Sequence, residues 1–211
     1  VLVTTTYLEQ RSPDDIRPAK APAEPIDVVR AENPTPEFTR FLYATVGGDW
    51  FWVDRLTWSH DQWVERLAKP MVEVWVAWSG GTPAGYVEFI GRSAEDTAVT
   101  SDPAPPSTSD TIQLEIASFG LLPGFLGRGI GGHLLTVGCQ RAWSVHERWP
   151  GVPPVGRVWL HTCSLDGPAA LGNYQARGFT PYHTKQTDEA MPPRTPGSWP
   201  GPSTSDGQLQ T

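Results

Sequence analysis

Four glycines fall within six residues in the stretch Gly127-Arg128-Gly129-Ile130-Gly131-Gly132. Before them runs a strand-like segment, TIQLEIASFGLL, from Thr111 to Leu122. After them Ile130, Leu134, Leu135, Ala142 and Val145 recur at the spacing of an amphipathic helix. Glycine has no Cβ, so the backbone N–H groups of such a turn can approach a ligand closely. At a helix start the same groups lie at the positive end of the helix dipole. Strand, bare turn and helix start in this order make a cradle for a pyrophosphate; the alternative is a turn kept glycine-rich for tight packing alone.

Residues 127–132 also satisfy G-x-G-x-x-G, the dinucleotide fingerprint. Three features oppose that assignment. The motif lies past the middle of the 211-residue chain. A β-hairpin precedes it, where a dinucleotide fold would open in βαβ. Pro153 and Pro154 stand about 20 residues on, where an acidic residue would end the second strand.

Composition narrows the class further. Lys and Arg number 16 against 23 Asp and Glu, a net charge of −7. A chain so acidic lacks the basic face that neutralises phosphates, so no nucleic acid is expected as partner. Its surface would instead attract cationic small molecules. The two cysteines, Cys139 and Cys163, are too few for a disulfide scaffold or a Cys-based zinc cluster, and no metal site is expected. No apolar run reaches the 18 or so residues of a membrane span, and the first ten residues show no basic block followed by an apolar one. A soluble, cytoplasmic protein with unpaired thiols is the expectation. An apolar share of 38% suffices for one core.

The chain divides accordingly. Residues 1–25 read as a strand and a proline-rich connector, residues 26–190 as the domain, and residues 191–211 as a flexible tail. Within the domain, residues 26–30 are a short strand and residues 36–46 a helix capped by Asn33 or Thr35. Ser59 caps a second helix over residues 60–68. Residues 72–78 and 84–90 flank Ser79-Gly80-Gly81-Thr82-Pro83 as a hairpin. Residues 93–110, rich in Ser, Thr, Pro and Asp, read as a mobile insertion. A strand over 157–163, a helix capped by Asp166 and running to Ala176, Gly178 as its C-terminal glycine and a strand over 179–185 complete the order. The tail's Pro/Ser/Gly composition makes it dispensable for folding, with Trp199 its one candidate anchor.

Taken together, two segments resemble the GNAT superfamily of acyl-CoA-dependent N-acyltransferases, in particular the small-molecule type of bacteria. Glu115 on the strand, Pro123, and Gly129-Ile130-Gly131 opening the helix fall at the spacings of the family's first signature. Tyr174-Gln175-Ala176-Arg177-Gly178-Phe179 matches the Tyr-x-x-x-Gly-Phe of its second. The likeness is specific over residues 111–182 and looser over 26–90. Leu126 stands where the family has Arg or Gln, and Gly167 where it often has Asn.

The resemblance implies an α/β fold with a mixed, largely antiparallel sheet, helices on both faces and a central βαβ unit at the acyl-CoA site. It implies transfer of an acetyl group from acetyl-CoA to an amine, with a small molecule as acceptor; a peptide or protein amine and a non-catalytic CoA-binding sensor are the rivals. By alignment, backbone groups of Phe119 and Leu121 pair with the pantetheine arm. Leu122, Leu126, Gly127, Arg128, Gly129, Ile130, Gly131 and Gly132 complete the cofactor site, with the phosphates left to backbone N–H groups and Arg128. Tyr174 is the general acid and also touches the cofactor. Glu115 is the base, or else a structural carboxylate paired with a neighbour such as Arg157. Trp50, Trp52 and Asp54, with Glu88 and His161, line the acceptor pocket, the alternative for the tryptophans being a plug between two helices. A homodimer is admitted but not required.

Overall fold

Among the described residues, runs of β-branched and aromatic residues bounded by Gly and Pro make seven strands, and all seven join one sheet. The structure is a computed structural model and describes residues 1–92 and 110–199. Residues 93–109 of the expected insertion and 200–211 of the expected tail lie outside the described residues. In chain order the strands are β1 (Leu2–Gln10), β2 (Asp27–Arg30), β3 (Glu73–Ser79), β4 (Thr82–Arg92), β5 (Ile112–Leu121), β6 (Val155–Cys163) and β7 (Thr180–Asp188). The helices are α1 (Pro36–Gly47), α2 (His60–Leu67), α3 (Ile130–Trp143) and α4 (Ala170–Ala176).

Across the sheet the order is β2-β3-β4-β5-β6-β1-β7. Only β5 and β6 run parallel, and α3 links them. That is the mixed, largely antiparallel sheet and central βαβ unit expected. The β3–β4 turn places Gly80 and Gly81 at φ +55° and +82°, the conformation a tight hairpin needs and glycine supplies.

Period-two alternation sends alternate side chains of one strand into two cores. From β3, Trp75 and Ala77 meet Leu134, Leu135 and Cys139 of α3. Val74 and Val76 from the same strand meet Leu42 and Val46 of α1. Helices therefore cover both faces. Thr35 caps α1 by accepting from the Phe38 N–H, and Ser59 with Gln62 forms a reciprocal capping box on α2.

Three placements differ from the sequence reading. β1, set apart there with the connector, is hydrogen-bonded inside the sheet, to β6 on one side and β7 on the other. Its run of threonines hides the alternation that would have announced a central strand. Its buried polar side chains find partners instead: Gln10 accepts from the Trp143 indole at 3.0 Å and donates to the Arg177 carbonyl at 2.9 Å.

Asp166 does not cap α4, which begins at Ala170. Its carboxylate accepts from the Thr162 hydroxyl at 2.7 Å and the Cys163 N–H at 2.9 Å, bracing the end of β6. The tail, finally, is docked as far as Ser198: the Gly197 N–H donates to the Gly48 carbonyl at 3.0 Å, while Trp199 is 86% exposed.

Candidate active site

The parallel pairing of β5 with β6 runs from Ile112↔Val155 to Glu115↔Trp159 and stops there. Just beyond, β5 carries a bulge. Its partners on β4 jump from Phe89↔Ile116 to Glu88↔Ser118, leaving Ala117 as the extra residue. A bulge bends its strand and ends regular pairing. β6 meanwhile continues to Cys163, held by β1. The two strands diverge, and a cavity of about 900 Å³ opens between them. Residues 117–121 of β5 form one wall and His161 and Cys163 of β6 the other. Along that wall β5 has lost its neighbour, so the backbone edge can receive an extended ligand as an added strand.

One end of the cavity is the glycine turn. Leu126, Gly127, Gly129, Gly131 and Gly132 line it. Gly127 and Gly129 have φ of +75° and +77°, which glycine adopts without strain. Gly129 is the N-cap of α3 and offers no side chain, so the first-turn N–H groups are not capped. A Cβ on Gly131 would meet only the Leu121 side chain, at 3.5 Å. The space above Gly131 is therefore open toward the cavity.

Three residues assigned to this loop do other work. The Arg128 guanidinium pairs with Glu24 and lies 5.0 Å over the Phe125 ring. The Leu122 N–H donates to the Ala84 carbonyl at 2.9 Å. The Ile130 side chain is fully buried in the α3 core. None of the three lines the cavity, so any phosphate contact there falls to backbone groups and not to these side chains.

Tyr174 of α4 lines the same cavity. Its ring packs edge-on against Phe119 and Phe179, with centroids 5.9 and 6.2 Å away. Burial pushes its hydroxyl pKa up, and the nearby Asp166 charge pushes it further. The phenol therefore stays protonated and able to donate. Burial, with Asp166 behind it, also raises the Cys163 thiol, which leaves it a poor nucleophile.

Trp50, Trp52 and Asp54 line the cavity as well, with Tyr43 and Arg55. Trp58 does not; it packs on Trp63 at 5.2 Å. Gly47 at the end of α1 leaves room for Trp52, whose ring and Cβ occupy the place a side chain there would take. Glu88 is absent from the wall. It is fully buried and takes Arg55 at 2.7 Å and Arg66 at 2.6 Å. Glu115 does reach the cavity, but its partner is Arg92 at 2.7 Å rather than Arg157, which turns to Glu9 and Gln113. His161 is exposed on the wall and leans on Tyr7, with ring centroids 5.7 Å apart.

A model of the Acetyltransferase (GNAT) family matches residues 36–179. The chain belongs to the GNAT family. A search of curated proteins gave no match. Among solved structures, a GCN5-related N-acetyltransferase from Kribbella flavida is 14% identical with a TM-score of 0.51, over 86% of this chain and 55% of that one. A conserved protein of unknown function from Staphylococcus epidermidis ATCC 12228 is 13% identical with a TM-score of 0.49, over 88% and 60%. The aminoglycoside N-acetyltransferase AAC(6')-Iy, in complex with CoA, is 16% identical with a TM-score of 0.48, over 81% and 97%. The chain thus spans little more than half the length of the first two. Among the described residues no helix is long and apolar enough to cross a membrane.

The GNAT match begins at α1 and ends at Phe179, so β1 and the residues after it on the wall lie outside it. Thr5 of β1 and Glu189 and Met191 beyond β7 all line the cavity. Sequence reasoning missed them because no motif marks them. They reach the site only through the pairing of β1 between β6 and β7.

Proposed function

We propose that this chain moves the acetyl group of acetyl-CoA directly to the amine of a small molecule, with Tyr174 protonating the departing thiolate. One observation carries the proposal. The glycine turn, the unpaired edge of β5, Tyr174 and the aromatic–acidic end line a single cavity. Together they supply what the donor's pyrophosphate, its extended amide-bearing arm, its thioester and the attacking amine each need.

The glycine N–H groups hold the pyrophosphate oxygens at the α3 dipole. Backbone groups of Phe119 and Leu121 bond the arm's amides and fix the thioester for attack. The amine nitrogen bonds to the carbonyl carbon, the carbon–sulfur bond breaks, and the electron pair leaves on sulfur. The Tyr174 hydroxyl supplies the proton that sulfur takes up. The attacking nitrogen gives up a proton to the cavity wall, whose ionisable groups include His161 and Glu115. His161 is the better placed, because the Glu115 carboxylate is already held by Arg92. Asp54 with Trp50 and Trp52 gives the amine end negative charge and ring faces, which suit a cation.

A panel of amines incubated with acetyl-CoA and a thiol reagent tests the reading. Thiol release that depends on both amine and protein is expected. Release from no amine in the panel would overturn the transfer reading. The donor site has its own test in Gly131→Val. A Cβ there meets only the Leu121 side chain, while a ligand loses its close approach to the backbone, so acetyl-CoA should bind at least about tenfold more weakly, roughly 1.4 kcal/mol. Unchanged affinity by calorimetry in the folded variant would remove the glycine turn from the donor site.

A further inference from the structure

The C-terminal segment after β7 runs from the cavity wall to the turn after α1. Glu189 and Met191 line the cavity. Six residues later the Gly197 N–H donates to the Gly48 carbonyl at 3.0 Å. Gly48 opens the turn that carries Trp50. Burial along the segment follows this course: residues 191–192 and 195–198 are half-buried, and 193–194 are exposed. Pro192, Pro193 and Pro196 restrict the backbone between the two attachments, so the segment bridges them as a stiff span.

The seat on α1 is specific. A Cβ on Gly48 would lie 2.1 Å from the Gly197 carbonyl oxygen, so nothing larger than glycine admits the segment. Yet Gly48 has φ −60° and ψ −34°, which any residue adopts without strain. The glycine serves the contact and not the local backbone.

We propose that residues 189–198 are a strap that walls the amine end of the cavity and selects cationic acceptors, an inference that rests on the acyl-transfer reading above. The strap brings Glu189, whose carboxylate accepts from the Thr187 hydroxyl at 2.8 Å, and Met191 to the cavity that Asp54, Trp50 and Trp52 also line. An acceptor enclosed there meets carboxylates and apolar surface from two chain segments. Displacing the strap removes one of those segments and opens the end to solvent. Neutral and cationic amines should then be discriminated less.

Two variants of the full protein displace the strap by different routes. Gly48→Ala drives Gly197 off its seat, and a chain ending at Met191 removes the span. Cys163 reports the opening without any turnover, because it lines the same cavity. Cys139 serves as internal control, fully buried and with its thiol pushed up to about 12 by that burial. In both variants iodoacetamide should label Cys163 at least about tenfold faster while Cys139 stays unreactive. KM for cationic amines should rise about tenfold relative to neutral ones, with acetyl-CoA affinity unchanged. Labelling at the parental rate in both variants would overturn the strap. Faster labelling with unaltered amine selectivity would overturn its role in selection. If the parent protein acetylates no amine, the transfer reading fails on its own account, and the labelling rates still decide whether the strap closes the cavity.

Discussion

Tyr174→Phe should lower kcat by about 10²–10⁴ and leave acetyl-CoA affinity nearly unchanged. The substitution keeps the ring and its edge-on contacts with Phe119 and Phe179, and removes only the hydroxyl. Binding of the donor and attack by the amine do not need that hydroxyl. Expulsion of the thiolate does. The loss should shrink at low pH, where solvent protonates sulfur more readily. A hydroxyl that served the core alone would behave in the opposite way, costing about 1 kcal/mol of stability and sparing kcat. Melting temperature and kcat measured on the one variant separate these outcomes. A fall of less than about fivefold with intact stability would leave Tyr174 as a positioning residue, since a thiolate is a fair leaving group unaided.

Tyr174 stands out in the sequence only when two signals are coupled. Alone, its segment reads as a helix with a buried tyrosine. Joined to the glycine turn it becomes half of a constellation, and both halves line one cavity. The strands and helices from residue 26 onward were legible because caps, hairpin glycines and periodicity are local. Ser59 with Gln62, and Gly80 with Gly81, fix their turns through neighbours a few residues away.

What remained hidden was whatever depends on distant partners. Thr4, Thr5 and Thr6 do not announce a strand enclosed between two others. Asp166 has the chemistry of a helix cap, yet Thr162 and the Cys163 N–H compete for it and hold it. The sequence offers Arg157 as one neighbour for a structural Glu115. In the fold Arg92, at the end of β4, is the cation beside it, and Arg157 goes to Glu9 of the strand whose place could not be foreseen. Composition alone misled about the tail. A Pro/Ser/Gly segment cannot build a core, but it can still cross a surface when a glycine on each side lets two backbones meet.

Glu88→Gln should cost about 3–5 kcal/mol, the range for breaking a buried ion pair from one side. For a chain of this size that is a drop in Tm of about 6–20 °C. Glu88 is fully buried, and both guanidiniums that face it, Arg55 and Arg66, have side chains only 14% exposed. The neutral amide keeps the shape but leaves two buried cations with no anion between them. The pH dependence has a definite sign. Burial pushes the Glu88 carboxyl up, but the charges and hydrogen bonds of Arg55 and Arg66 outweigh it and hold the pKa below the usual carboxylate value. The folded protein thus binds this proton less readily than the unfolded chain, whose glutamates titrate near about 4.3. The stabilisation is present in full above that value and is lost as pH falls through the lower, folded one. The Tm gap between parent and variant should be constant from about pH 6 to 8 and should narrow below about pH 4. A gap under about 2 °C at pH 7 would show that the triad contributes little beyond packing. Function should respond as well, because Arg55 lines the cavity beside Asp54. With Glu88 neutral, the Arg55 charge offsets the negative end of the site, and KM for a cationic amine should rise more than KM for a neutral one.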